Sequence, residues 1–401
     1  MKSCCVLGLG YIGLPTALLL AKFGYKVVGV DTNKSIVNDL NKGKCHVKEK
    51  GLSDLLRSAL RNNKFKAFNK PIHSDIFIIA VPTPFCGIIN GIPKPNLDYV
   101  FAAIDSISSS LKKNNIVIIE STCPVGTTNA VADYLYQKTG FGLNEIDISY
   151  CPERVIPGNI LFELENNNRV IGGVTNKSAL NTLDFYKTFC KGKLKLVSSK
   201  TAEMIKLAEN SYRDVNIAFA NEISMICDDE DIKPEEVIEI ANMHPRVNIL
   251  NPSCGVGGHC IAVDPWFIVS RNPQKAKLIK VSRQVNLEKT DWVFSRIIDS
   301  QKNLEKKIGR KIKIGIFGIT YKANVLDLRE SPALKIFQKL IDSDLQILLC
   351  EPNIDSYSNF KSYSINYALS NSDICIFLVG HKEFQNIKFN NYKYLDFCGI
   401  K

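Results

Sequence analysis

Ser3-Cys4-Cys5-Val6-Leu7-Gly8-Leu9-Gly10-Tyr11-Ile12-Gly13 opens the stretch that decides the fold, and Val27-Val28-Gly29-Val30-Asp31 closes it. Ser3–Leu7 reads as a short apolar strand. Gly8, Gly10 and Gly13 follow at G-x-G-x-x-G spacing, residues 14–23 read as a helix, and residues 27–30 as a second strand ended by Asp31. Strand, glycine turn, helix, strand and acid within about thirty residues is the dinucleotide-binding fingerprint in the context it requires. Gly8 permits the tight turn. Gly10 lets a pyrophosphate rest on backbone N–H groups at the helix N-terminus. Gly13 lets the helix pack on the strand. Asp31 would accept from the adenosine ribose hydroxyls and repel a 2′-phosphate, so NAD is expected rather than NADP.

Two further runs, residues 76–81 and 116–119, are continuously apolar, as in parallel strands covered on both faces. In such sheets ligands bind beyond the carboxyl ends of the strands. That places Thr83, Ser121 and Thr122 at the cofactor or substrate. Residues 147–150 read as another strand. It runs into Glu153, which could act as a general base, and Arg154, which could hold a phosphate or a sugar. Residues 169–174 read as the last strand of this domain.

From about residue 200 to 240 the pattern turns helical, with no Gly or Pro through Asp231. Lys206, Asn210 and Arg213 (or Asp214) fall on one helical stripe. With Ala, Ile, Phe and Met around them, they are expected to point into a site. An unbroken central helix is also a natural dimerisation element. Beyond it, His244 suits a sugar and Arg246 an anion. The stretch Gly255-Val256-Gly257-Gly258-His259-Cys260-Ile261-Ala262-Val263-Asp264-Pro265 reads as a nucleophilic cysteine in a glycine turn that opens a helix, with Asp264 one turn further along the same face. Cys254, His259 and Cys260 lack zinc-ligand spacing, so no metal is expected. Residues 301–310 are polar and read as a linker. Residues from 313 onward read as a second doubly wound domain. It has no G-x-G-x-x-G and so no dinucleotide, but Lys322 and Arg329 there are candidates for phosphate contact.

The 401 residues suggest two or three domains, and the thirteen scattered cysteines, one adjacent pair apart, suggest reduced thiols in a cytoplasm. No signal peptide and no run of membrane-spanning length is read. The net charge of +11 comes without a dense Lys/Arg run interleaved with aromatics. It fits an anionic cofactor and a phosphorylated substrate better than nucleic acid.

Taken together, G-L-G-Y-I-G, V-P-T-P, E-S-T-C-P-V-G-T, C-P-E-R, A-E-M-I-K-L-A-E-N, G-V-G-G-H-C-I-A-V-D-P and Y-K-A-N-V-L-D-L-R-E-S stand in one order along nearly the whole chain. In this the sequence resembles the nucleotide-sugar 6-dehydrogenases, the UDP-glucose/GDP-mannose dehydrogenase family. Within that family, H-P-R-V-N-I-L and G-G-H-C-I-A-V-D-P-W-F are most similar to members that oxidise UDP-N-acetyl-D-mannosamine.

The resemblance implies an α/β chain with two doubly wound Rossmann-like domains joined by a central helical domain with a long helix. The expected divisions are 1–198 for NAD, 199–300 for catalysis and dimerisation, and 310–401 for the nucleotide sugar. It implies a four-electron, NAD-dependent oxidation of a sugar 6-hydroxyl to a uronate for surface polysaccharide, by a cytoplasmic homodimer that binds neither nucleic acid nor membrane. Cys260 would be the nucleophile, with Lys206, Asp264, Asn210, Glu153 and Thr122 as its catalytic partners. NAD would be held by Gly8, Gly10, Tyr11, Ile12, Gly13, Asp31, Thr83, Thr122 and Arg329. The sugar nucleotide would meet Arg154, Val155, Lys206, Asn210, Arg213, His244, Gly257, Tyr321 and Lys322, and Arg246 would reach the partner subunit's substrate. UDP-N-acetylglucosamine and UDP-glucose are alternative substrates. A non-catalytic binding relative and a two-electron hydroxyacid dehydrogenase are the competing classes. Cys398 stands where many relatives carry a cation.

Overall fold

The computed structural model describes residues 2–156, 158–258, 260–389 and 392–400. His259 of the glycine stretch lies outside them, as does Pro157. The chain forms two compact units, Met1–Ala208 with Trp266–Arg271, and Glu209–Pro265 with Asn272–Lys401.

Among the described residues the first unit has ten strands: β1 (Ser3–Leu7), β2 (Lys26–Val30), β3 (Phe65–Phe68), β4 (Ile76–Ile79), β5 (Phe85–Ile89), β6 (Ile92–Pro95), β7 (Ile116–Ile119), β8 (Asp147–Tyr150), β9 (Arg169–Gly173) and β10 (Leu194–Ser198). Eight of them make one sheet in the order β10-β9-β8-β7-β4-β1-β2-β3, and β5 and β6 form a separate hairpin. Within the eight-stranded sheet pairing is parallel except between β8 and β9. Alternation along each strand feeds two cores. Cys4, Val6, Ile76 and Ile78 enter one, and Cys5, Leu7, Phe77 and Ile79 the other. Both faces are therefore dry, which is why these strands read as unbroken apolar runs. The domain does not end with β9. Its edge strand β10 is half polar and only partly buried, so its sequence carries little hydrophobic signal.

The second unit holds a parallel sheet in the order β12-β11-β15-β16, from β11 (Lys313–Phe317), β12 (Gln346–Cys350), β15 (Ile374–Phe377) and β16 (Tyr394–Asp396). A short antiparallel ladder joins β13 (Ser356–Tyr357) to β14 (Phe360–Lys361). This is the second doubly wound sheet, and it too feeds two cores, Ile314 and Ile316 into one and Phe317 and Phe377 into the other.

The central helix runs through Ser199–Asp229, 31 residues. A second long helix, Lys277–Ile308, has 32. It absorbs the segment expected to be a linker: residues 301–308 are helical because Gln301 and Leu304 continue its buried face. Within the second unit the two long helices are zipped by polar side chains. Arg283 Nη1 donates to Asp214 Oδ1 at 2.6 Å, Asn286 Nδ2 to the same oxygen at 2.8 Å, Asn221 Nδ2 to Asn286 Oδ1 at 2.9 Å, and Lys289 Nζ to Ser224 Oγ at 2.8 Å. Asp214 is thus turned inward and structural, while Arg213 is exposed. A residue's place on a helical stripe could not distinguish the two, because they are adjacent. Among the described residues no helix is long and apolar enough to cross a membrane.

Lys289 is the costly member of this zipper. Its ammonium lies 3.8 Å from the centre of the Trp292 ring, and burial pushes its pKa down to about 8. The unfolded chain therefore binds more protons between pH ~8 and ~10, and stability rises across that window. Lys289→Met is expected to stabilise the chain by about 1–3 kcal/mol at pH 7, read from urea melts. The gain should fade as pH climbs through the same window. A gain that persists at pH ~10 would contradict the buried-charge account.

Candidate active site

In the first unit the glycine turn has the geometry its motif demands. Gly8 sits at φ +88°, and a Cβ there would lie 2.5 Å from the Ala80 carbonyl oxygen. A Cβ on Gly13 would lie 1.8 Å from Gly8 O, so helix and strand are in backbone contact. A Cβ on Gly10 would meet nothing within 4 Å. The helix Gly13–Lys22 that follows has no side-chain cap at its N-terminus. Open space in front of uncapped N–H groups fits an anionic pyrophosphate. Asp31 ends β2, accepting from Leu9 N at 3.0 Å and Asn33 N at 2.9 Å, and remains half-buried. Tyr11 is exposed and Ile12 and Thr83 are half-buried around this edge. These residues fit a dinucleotide of the NAD type.

Thr122 follows β7 and is half-buried. Its neighbour Ser121 is buried, with its hydroxyl donating to Val81 O at 2.7 Å. Glu153 and Lys206 come together: Lys206 Nζ donates to Glu153 O at 2.7 Å and to its Oε1 at 3.2 Å, while Glu153 Oε2 accepts from Val155 N at 3.0 Å. Arg154 Nη1 donates to Asn168 O at 3.2 Å.

Two carboxylates that sequence reasoning did not single out hold this edge. Glu203, fully buried and three residues before Lys206, accepts from Gly126 N at 2.5 Å, Thr128 N at 2.7 Å and Thr128 Oγ1 at 2.6 Å. It caps the helix Thr127–Thr139 from outside, in place of the side chain that Gly126 lacks. Burial pushes its pKa up, against those bonds and the nearby Arg271. Glu120 is raised too, first by burial, although Arg169 and the Tyr186 hydroxyl, 2.9 Å away, favour its charge. A polar residue among apolar ones was the only sequence signal for either.

The second unit carries the cysteine. Cys260 is exposed, and it does not open a helix. It stands in a turn one step earlier, its carbonyl accepting from Val263 N at 3.0 Å and Asp264 N at 2.8 Å, and the helix begins at Asp264. With Pro265 next, the helix starts where proline is tolerated. Asp264 Oδ2 accepts from Asn210 Nδ2 at 2.5 Å. Among the thirteen cysteines only Cys86 and Cys260 are exposed, and no disulfide forms. Burial pushes the Cys5, Cys254, Cys350 and Cys375 thiols up to about 12.

Close approach explains the glycines before Cys260. Gly258 sits at φ +82°, and a Cβ there would lie 2.8 Å from the Tyr321 ring. One on Gly257 would lie 2.5 Å from Glu330 O, and one on Gly255, at φ +132°, 2.4 Å from Thr290 Oγ1. Tyr321 is half-buried and Lys322 exposed, on the loop after β11. Arg329 is held by Asp327, with Nη2 to Oδ2 at 2.7 Å. His244 and Arg246 are exposed together, with Arg246 N donating to His244 Nδ1 at 3.3 Å. Asn216 and Asn221 of the central helix hold the following segment, accepting from Leu250 N at 3.0 Å and Ser253 N at 2.8 Å.

Three domain models of the UDP-glucose/GDP-mannose dehydrogenase family match this chain: its NAD binding domain over residues 2–190, its central domain over 200–288 and its UDP binding domain over 315–395. A UDP-N-acetyl-D-mannosamine dehydrogenase of Campylobacter jejuni is 47% identical over 410 residues, covering 98% of each chain. An NDP-N-acetyl-D-galactosaminuronic acid dehydrogenase of Ralstonia nicotianae is 42% identical over 399 residues, covering 96% of this chain and 92% of its own. The solved structure of a UDP-D-ManNAc dehydrogenase from Pyrococcus horikoshii superposes with a TM-score of 0.91 at 34% identity, covering 100% of this chain and 96% of that one.

The glycines of the first turn separate packing from binding. Gly13→Ala is expected to lower the melting temperature or abolish folding, since its Cβ overlaps backbone. Gly10→Ala should stay within about 0.5 kcal/mol of the parent in stability, yet weaken NAD binding about tenfold, measured by fluorescence titration. Equal effects on stability would break the assignment of roles.

Proposed function

This chain belongs to the UDP-glucose/GDP-mannose dehydrogenase family, and we propose that it oxidises the 6-hydroxyl of UDP-N-acetyl-D-mannosamine to UDP-N-acetyl-D-mannosaminuronate. On this reading 1–198 is the cofactor domain, 199–300 the catalytic and dimerising segment, and 310–401 the nucleotide-sugar domain. The observation that carries the reading is Cys260. It is an exposed cysteine set in a glycine turn, in a chain where burial suppresses most other thiols. A simple alcohol dehydrogenase would have no use for it.

Bound NAD supplies two hydride acceptances in succession, one molecule for each oxidation step. The chain's own groups do the rest. Lys206, oriented by Glu153, and Asp264, oriented by Asn210, move protons at the reacting oxygen and at the hydrolytic water. Cys260 attacks the aldehyde carbon to form a thiohemiacetal, which on oxidation becomes a thioester. The ammonium of Lys206 and the amide of Asn210 stabilise the oxyanion. Glu153 and Thr122 position the water that releases the acid. Gly8, Gly10, Tyr11, Ile12, Gly13, Asp31, Thr83, Thr122 and Arg329 hold NAD. Arg154, Val155, Arg213, His244, Gly257, Tyr321 and Lys322 meet the sugar nucleotide. The product feeds surface polysaccharide, and the reaction belongs to the cytoplasm.

The protein acts as a homodimer through the central helix. Tyr212, Phe219 and Ile226 are 65%, 50% and 52% exposed and recur every seven residues, one exposed apolar stripe along the helix. Arg246, exposed beyond the helix, serves the partner subunit's substrate.

With limiting UDP-N-acetylmannosamine and excess NAD, two NADH per sugar are expected, counted by absorbance at completion. Two NADH with UDP-N-acetylglucosamine or UDP-glucose instead would move the substrate and keep the chemistry. One NADH would sink the thioester route. Cys260→Ala should lower turnover by about 10³-fold or more while NAD still binds. For the dimer, Phe219→Glu is expected to halve the mass measured by light scattering. An unchanged mass would place the interface elsewhere.

A further inference from the structure

The C-terminal sheet repeats the turn geometry of the cofactor domain, but with its acid used differently. Gly318 follows β11 at φ +87°, and a Cβ there would lie 2.6 Å from Val379, much as Gly8 abuts Ala80. Glu351 ends β12 as Asp31 ends β2, and accepts from Ile319 N at 2.8 Å as Asp31 accepts from Leu9 N. There the likeness stops. Asp31 is half-buried with two backbone donors. Glu351 is 1% exposed and saturated: beyond Ile319 N it accepts from Thr320 N at 3.3 Å, Asn353 N at 3.0 Å, Asn353 Nδ2 at 2.9 Å and His381 Nε2 at 3.1 Å. No lone pair is left for a ribose.

The new partner is His381, fully buried in the turn after β15. Its Nδ1 accepts from Asn324 N at 3.0 Å and lies 3.2 Å from Asn353 Nδ2. Two donors at Nδ1 and a carboxylate at Nε2 assign the neutral Nε2–H tautomer. Asn324, at φ +61°, is gripped at its other end as well, its Oδ1 accepting from Lys382 N at 3.0 Å. Thr320 Oγ1 donates to Lys322 O at 3.0 Å and lies 3.3 Å from His381 Nε2. The segment between these anchors is Tyr321-Lys322-Ala323. Tyr321 N donates to Asp327 O at 3.0 Å, and Tyr321 packs on Gly258, two residues before Cys260.

We infer that His381, buttressed by Glu351, is a positioning residue that fixes the Tyr321–Lys322 loop for the UDP moiety of the substrate. The inference rests on the proposed assignment of Tyr321 and Lys322 to the sugar nucleotide. The ring works through its two nitrogens separately. Nε2–H is the anchor into the sheet, and Nδ1 is the hook that stops the loop's C-terminal end from lifting.

Two near-isosteric variants separate these functions. Asn at 381 puts an amide oxygen where Nδ1 was and keeps the hook. Gln at 381 puts an amide nitrogen where Nε2 was and keeps only the anchor. Titration calorimetry with UDP on the full chain, and steady-state kinetics with the UDP-sugar, should show His381→Gln weakening UDP and raising the sugar KM about tenfold, with kcat and NAD affinity within about threefold of the parent. His381→Asn should stay within about threefold throughout. A purely structural residue would move NAD, kcat and UDP together in both variants, and that result, or Gln and Asn behaving alike, overturns the inference. Should His381→Gln not fold, Glu351→Gln carries the test. Its amide NH2 faces donors whichever way it turns, either Ile319 N and Thr320 N where the loop begins or Asn353, whose Nδ2 also meets the hook nitrogen. Unlike loss of the Nε2 anchor alone, this disturbs the loop or the hook, so a loss of UDP affinity is expected, and unchanged affinity counts against the role. A parent protein that neither binds UDP nor oxidises a UDP-sugar would overturn the functional reading itself. An active parent with unchanged variants overturns only this inference.

Discussion

A carboxylate at the end of the second strand, bonded back to a backbone N–H of the first turn, is the constraint on which both sheets depend. A strand–turn–helix leaves N–H groups at the turn without partners, and a doubly wound sheet crowds that turn against the neighbouring strand. Asp31 on Leu9 N and Glu351 on Ile319 N solve the same problem at the same place, each beside a glycine in the left-handed region. What differs is how much of the carboxylate is left over. Asp31 keeps acceptor capacity at a half-buried edge and can serve a ligand. Glu351 has spent all of its capacity within the fold. One local device therefore yields a binding residue in one domain and an internal strut in the other, and the burial of the neighbourhood decides which.

The same economy governs the central helix. Glu203 and Lys206 lie about one turn apart and are both fixed to backbone, the first to the N-terminus of the helix Thr127–Thr139 and the second to the Glu153 carbonyl. Bonds to backbone fix a side chain more firmly than bonds to another mobile side chain, because the strand edge cannot rotate away. Lys206 is thereby held in one rotamer against a carboxylate. The cost is a set of desolvated acids. Glu120, Glu203 and Asp214 all have their pKa raised by burial, and each is kept in place by two or more hydrogen bonds.

Much of this was legible in the sequence, and the reasons are local. The G-x-G-x-x-G turn, the buried strands and the central helix each carry a short-range period or spacing. Apart from the start of the helix at Asp264, which is set locally, the failures share one cause, which is that they depend on a partner far along the chain. Cys260 stands before its helix because Asp264 and Pro265 make the better start. Asp214 turned inward because Arg283, on another helix, was there to meet it. Residues 301–308 stayed helical because Leu304 had a core to enter. His381 and Glu351 gave no signal at all, since a lone histidine and a lone glutamate acquire meaning only when the topology of β11, β12 and β15 brings them together.

That convergence bears on how the reaction would be driven. Of residues 255–258 ahead of Cys260, only Val256 has a side chain with which the glycine turn could hold a shape. Its shape is set by what it leans on, which is Tyr321, Glu330 and Thr290. A nucleophile must be placed to within a fraction of an ångström for its attack to be efficient. On the proposed reading the wall that places it, Tyr321, also meets the nucleotide half of the substrate. Binding of a part of the substrate that does not react would then tighten the turn that carries the thiol, so that remote binding energy is expressed at the reacting carbon. A side chain at Gly257 or Gly258 would push the turn off this wall and uncouple the two. The motif therefore needs glycine for contact as much as for its dihedral angles.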